Sequence, residues 1–248
     1  ANTPFKLEQE ALIRSHVLIN TQADEKRIYL LVVAHHIIAD FWAMDLIIKD
    51  LQCLYQGQIN GEKEGLAALQ KHFKDYVINE QQWLQSDAGL AAKDYWHQQL
   101  TPLPSPLELP TDYIRPARQS FHGKEHQFQI NATLTARLKQ QAKKQQVTPF
   151  VWVLSAYQTL LHRYTGEPQI TVGSPVAGRL QTEFQKIAGH FTNPVTLTQL
   201  FTESASFKDV LAENKQQVVQ ALKHQLYPFQ CLIEELQPQR DANTSPIF

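Results

Sequence analysis

Between residues 12 and 34 the chain carries two runs of β-branched and apolar residues, LIRSHVLIN (12–20) and IYLLVVA (28–34), separated by the polar stretch TQADEKR. Runs of this kind bounded by polar residues predict two strands joined as a hairpin. At Phe41 the period changes. Trp42, Leu46, Ile47, Leu51 and Leu54 fall at helical spacing, which predicts a helix over 41–55. Asp40 stands just before it, where an N-cap carboxylate accepts from the first exposed backbone N–H groups. QGQINGEKEG (56–65) reads as a polar, Gly-bearing loop, and helices are expected over about 66–86 and 88–100.

Residues 101–120 break the pattern with five prolines, which remove donors and hold their neighbours extended. This shift marks a boundary between a first lobe (1–100) and a second lobe (121–248), with 101–120 as connector. Beyond it the pattern predicts a strand at 124–130 and a helix at 132–145. Thr148-Pro149 predicts another helix, with threonine as N-cap and proline at the first helical position. QITVGSP (169–175) and HFTNPVTL (190–197) read as strands, and 206–224 and 228–236 as helices. Strands alternating with helices in both halves predict an α/β fold.

Composition then removes several classes of function. The 23 basic and 24 acidic residues leave a net charge of −1, so no basic field exists to hold a nucleic acid. No apolar run approaches a bilayer span, and no secretory signal opens the chain. Cys53 and Cys231 lie apart in separate helical patterns, which argues against a disulfide framework and fits a reducing, cytoplasmic setting. The start at Ala-Asn-Thr-Pro and the stop at SPIF suggest a piece of something longer.

The stretch with chemistry in it is AHHIIAD (34–40), where two imidazoles and a carboxylate leave the end of a strongly apolar strand. Strand side chains alternate in direction, so His35 and His36 cannot both face one ion while the strand persists. No HExxH motif or Cys/His cluster adds ligands, and a metal site is not expected. A plainer reading makes both histidines satisfied residues at a strand end and Asp40 only a helix cap. A catalytic reading needs one accessible imidazole, since histidine can take and return a proton near neutrality. From periodicity alone both stay open.

AHHIIADFW resembles the HHxxxDG motif of nonribosomal peptide synthetase condensation domains, within the chloramphenicol acetyltransferase-like superfamily. Other segments resemble the same family. PFKLEQEALIR (4–14) is similar to PFDLxxGPLLR, FKDYVINEQQWL (73–84) to YxDYAxWQ, and KDYWHQQL with LELPTDYIRP to the YWxxxL and LPTDRPRP connector. VGSPVAGR (172–179) resembles (I/V)GxPVAGR, and IAGHFTNPVTL (187–197) resembles IGxFVNxxxLR. HQLYPFQCLIEEL (224–236) is similar to HxxxPFxxLVExL and RDANTSPIF (240–248) to RDxSxxPLFQ. These eight segments keep the family's order along nearly the whole chain.

The resemblance implies a two-lobed fold whose first lobe is incomplete in this chain. It implies an acyltransferase of secondary metabolism. An upstream acyl or peptidyl thioester and a downstream aminoacyl thioester, each on the phosphopantetheine of a carrier protein, would be joined as an amide. Carrier domains and adjacent synthetase domains are the implied partners, and the domain itself would bind no cofactor, metal, nucleic acid or membrane. By similarity His36 is the active residue. His35 would turn into the scaffold as a buried, hydrogen-bonded imidazole. Asp40 would brace the loop by a salt bridge, with Arg179 as its partner. Asn193 would present its amide to a substrate carbonyl or close a strand turn. Phe41 replaces the family's glycine and would reshape the pocket beside His36, a variation found in relatives taking acyl donors from polyketide-type modules. Trp152 and Tyr157 would be helix core. Heterocyclisation relatives carry aspartates in place of the two histidines, which argues against that subtype. An ester-forming or epimerising relative, or a non-catalytic carrier-docking module, are the alternatives.

Overall fold

The computed structural model describes residues 3–20, 27–61, 65–114, 116, 123–238, 245 and 247–248. Most of the TQADEKR connector, part of the 101–120 stretch and most of RDANTSPIF lie outside the described residues. The chain forms two compact units, Ala1–Gln82 with Ala177–Thr192, and Trp83–Val176 with Asn193–Phe248. These differ from the lobes expected at 1–100 and 121–248. Residues 83–100 join the second unit because Trp83, Leu84, Tyr95 and Trp96 share a core with Val195 and Leu211. Residues 177–192 join the first because Arg179 and Phe191 bond to Asp40.

In the first unit, β1 (Ile13–Asn20) and β2 (Arg27–Ala34) pair antiparallel, with Ile13 opposite Ala34 and Asn20 opposite Arg27. After β2 a short turn leads into α1 (Phe41–Asn60). This helix runs past the expected end at Tyr55 and stops where Gly61, at φ 72°, takes the left-handed conformation of a C-cap. The next helix, α2 (Phe73–Leu84), begins not at 66 but at Phe73. There the Asp75 carboxylate accepts from His72 N at 2.7 Å and fixes the helix start. Phe184, Ile187 and Phe191 form a buried cluster, with Tyr76 packed against it and its ring centroid 4.5 Å from that of Phe191.

The second unit contains α3 (Asp87–Gln99), α4 (Ala132–Lys144), α5 (Pro149–Thr165), β3 (Gln169–Val176), β4 (Asn193–Leu200), α6 (Phe207–Lys223) and α7 (Phe229–Leu236). Thr148 Oγ1 accepts from Val151 N at 3.2 Å, the cap expected from Thr-Pro. β3 and β4 pair antiparallel, Gln169 opposite Leu200 and Val176 opposite Asn193. β4 starts three residues later than the HFTNPVTL pattern suggests, because residues 190–192 turn aside to bond with His36 and Asp40. The strand expected at 124–130 is not formed; among the described residues nothing pairs with it. Trp96, Leu100, Leu154, Val195, Leu197 and Leu211 fill the core. Gln158 is buried with them and donates to the Leu197 carbonyl at 2.9 Å, so its amide is not left unsatisfied. Trp152 packs against this core, while Tyr157 is exposed rather than buried in it. Helices and strands are thus mixed in each unit. No described helix is long and apolar enough to cross a membrane.

Candidate active site

The hairpin closes at its open end with His35 N donating to Leu12 O at 2.8 Å, and the chain then turns. Ile38 N returns to His35 O at 3.1 Å. His35 Nδ1 accepts from Ile37 N at 3.1 Å, which leaves the ring proton on Nε2. Its ring meets Phe5 edge-on at 5.8 Å. His35 is therefore tied to its own turn, but it is half-buried rather than buried as expected. His36 is exposed, and among the described residues its ring nitrogens have no hydrogen-bond partner.

At the foot of the same turn lies Asp40, 2% exposed and fully engaged. Oδ1 accepts from Ala43 N at 2.7 Å and from Arg179 Nη2 at 3.3 Å. Oδ2 accepts from Phe191 N at 2.9 Å and Thr192 Oγ1 at 3.3 Å. Burial pushes the Asp40 pKa up. The Phe191 and Ala43 amides and the Arg179 cation oppose it and prevail, so the pKa lies below the ordinary carboxylate value. Such a carboxylate has no lone pair free for a substrate. It is a bracket.

Arg179 is its counterpart, 5% exposed. Besides Asp40 it donates to the carbonyls of Phe184 (3.1 Å), Ile187 (2.7 Å) and Gly189 (3.1 Å), and its guanidinium lies 3.9 Å from the Phe191 ring centroid. Burial draws its pKa down while Asp40 draws it up, and the first effect prevails. One side chain thus gathers residues 184–189 beneath the His36 turn. Trp42 Nε1 adds a donor to Gln185 O at 3.2 Å. The glycine before Arg179 is required by geometry. Gly178 has φ 66°, and a Cβ there would collide with Phe191 O.

Two other expected residues are placed differently. Asn193, in the second unit, donates from Nδ2 to Gln225 O at 2.9 Å and to Tyr227 O at 2.7 Å, and its Oδ1 accepts from Phe229 N at 2.8 Å. Both amide hydrogens are engaged, so Asn193 closes a turn and has none to offer a substrate carbonyl. Phe41 is 90% exposed at the first position of α1. A cavity of about 530 Å³ in the second unit, lined by Val147, Lys208, Leu211 and Lys215 among others, contains none of the expected residues.

Sequence reasoning missed three members of this cluster. Phe191 and Thr192 supply half of the bonds to Asp40. His190 donates from Nδ1 to the His36 carbonyl at 2.7 Å, and the two imidazole centroids are 5.1 Å apart. The signal available was a third imidazole inside the GHFTN segment.

Residues 1–248 match the family model described as Condensation domain. A linear gramicidin synthase of Brevibacillus parabrevis is 36% identical over 248 residues, 100% of this chain and 3% of that protein. Gramicidin S synthase 2 of Aneurinibacillus migulanus is 38% identical over 245 residues, 99% of this chain and 5% of that protein. Among solved structures, a four-domain nonribosomal peptide synthetase bound to AMP and glycine superposes with a TM-score of 0.83 at 27% identity, over 98% of this chain and 18% of that one. The X-domain from teicoplanin biosynthesis superposes with a TM-score of 0.89 at 23% identity, over 99% of this chain and 55% of that one, a likeness of fold. The chain thus spans 3% to 5% of these two synthases and about half of that X-domain.

Proposed function

Because the chain belongs to the condensation domain family, we propose that it joins two thioester-bound substrates as an amide, with His36 as the reacting imidazole. The donor is an acyl or peptidyl thioester and the acceptor an aminoacyl thioester. Each is carried on the phosphopantetheine of a carrier protein. One observation carries this reading: the exposed His36 ring stands on a turn whose foot, Asp40, is buried and bonded on both oxygens. A mobile imidazole would lose alignment with a tethered nucleophile, and alignment accounts for much of the acceleration available to an already activated thioester.

The amine nitrogen attacks the thioester carbonyl carbon, forming the C–N bond and moving the carbonyl π pair onto oxygen. Collapse of the tetrahedral intermediate breaks the C–S bond. His36 accepts the proton leaving nitrogen and returns it to the departing sulfur, so the donor arm leaves as a thiol. His35, whose Nδ1 is occupied by the Ile37 amide, takes no part in proton transfer and stiffens the turn. Asp40 and Arg179 are structural supports. Phe41, exposed five residues beyond His36, offers an apolar face to the donor chain.

The experiment loads a donor carrier with an acyl group and an acceptor carrier with either an amino acid or the matching hydroxy acid, then weighs the acceptor arm by mass spectrometry. Amide product on the amino acid arm, with the hydroxy arm slower, is expected from the full-length protein. Faster transfer to the hydroxy arm would instead make the domain an ester former. No transfer to either arm would favour a carrier-docking role.

A further inference from the structure

We propose that His190 is a positioning residue for His36, clasping its backbone and standing against its ring; this rests on the reading of His36 as the reacting imidazole. Both ring nitrogens of His190 face carbonyl oxygens. Nδ1 is 2.7 Å from His36 O, and Nε2 is 3.2 Å from Thr192 O. A carbonyl only accepts, so Nδ1, at the shorter contact, carries a hydrogen and donates to His36. The two imidazoles are tilted by 48° with centroids 5.1 Å apart, so the His190 ring also limits the sweep of the His36 side chain on that side.

The neighbours of His190 give the clasp its purchase. Phe191 N and Thr192 Oγ1 both donate to Asp40 Oδ2, and Phe191 packs under the Arg179 guanidinium. Three consecutive residues therefore hold both ends of the His36 turn, the first through the His36 carbonyl and the next two through Asp40. The Asp40 end is buried and deeply anchored. The His36 end is exposed, and there the His190 imidazole supplies the hold on the backbone.

This difference in burial separates a positioning role from a packing role. His36 is exposed, so water can satisfy its carbonyl if the imidazole is removed, and little stability is lost. Water cannot fix where that carbonyl, and the ring attached to the same residue, comes to rest. Removing the donor should thus leave folding intact and reduce the rate of the chemical step.

The test is a double-substitution cycle in the full-length protein, reading kcat and KM for both loaded carriers, with melting as the folding control. His190→Leu removes the donor and fills similar volume. His190→Asn places an amide hydrogen near the former Nδ1. The expected result is a fall in kcat of about 10- to 100-fold for His190→Leu, the range for misplaced reacting groups. KM and the melting temperature should be unchanged, and His190→Asn should recover most of the rate. In a His36→Ala background, His190→Leu should add no further loss. Parent-like kcat for His190→Leu, a loss shared equally by KM, or a full additional loss in the His36→Ala background each overturn the proposal. Loss of rate on His36→Ala alone reports separately on the reading of His36 itself.

Discussion

Asp40 is the residue whose loss the structure makes most costly. Its four hydrogen bonds join the α1 N-terminus, the Arg179 guanidinium and the Phe191–Thr192 segment at a site 2% exposed. Asp40→Ala strands the Arg179 cation without its counter-ion. Removing one partner of a buried pair typically costs on the order of 3–5 kcal/mol, measurable here by denaturant unfolding. The pH dependence follows from the direction of the shift. A carboxyl with a folded-state pKa below its unfolded value stabilises fully above the unfolded pKa, about 3.9 for aspartate. That stability is lost as pH falls through the lower folded-state pKa. Asp40→Asn should therefore show a shallower acid limb than the parent protein. At this scale the sequence disclosed much of the site. Asp40 as helix cap and Arg179 as its partner were both expected, and they meet at 3.3 Å. His190 was not, because nothing local relates it to His36, 154 positions away. Of the two roles expected for Asn193, its hydrogen bonds match the closing of a turn, with both amide hydrogens on backbone carbonyls that no one-dimensional pattern reveals.

Among the elements, those with local punctuation were the legible ones. Thr148-Pro149 and Asp40 each place a cap where the helix begins, because a cap satisfies N–H groups within three residues of itself. The strand expected at 124–130 had suitable residues but no partner among the described residues, and strand formation depends on pairing more than on propensity. Segment 177–192 is the element on which the site depends, and Gly178 is its pivot. With φ 66° and Phe191 O occupying the place a Cβ would take, Gly178→Ala must strain the backbone and push Phe191 away from Asp40. The expected outcome is destabilisation exceeding about 1 kcal/mol, the scale of an incompatible Gly→Ala change. Turnover should fall alongside it; a parent-like melting curve would mean that 177–192 does not brace the turn.

For the molecule as a whole, burial rather than composition sets the division into units. The proline-rich stretch looked like a boundary, yet its described part belongs to the second unit, and the first unit recovers 177–192 from far along the chain. Such a return is fixed by the bonds of Arg179 and Phe191; the expected Asp40–Arg179 pair already ties the two segments, whereas the bonds of Phe191 and of the carbonyls that Arg179 gathers leave no mark in the pattern. The result is a division of labour within the first unit. A buried Asp40–Arg179 lattice holds the fold, and an exposed His36 ring on its rim performs the proposed chemistry. The most direct measurement is single-turnover amide formation by full-length His36→Ala, run beside its melting curve. The account predicts unchanged melting and a rate lower by about 10²- to 10⁴-fold, the usual worth of a positioned acid–base group. Amide formed at the parent rate by a well-folded His36→Ala protein would contradict it.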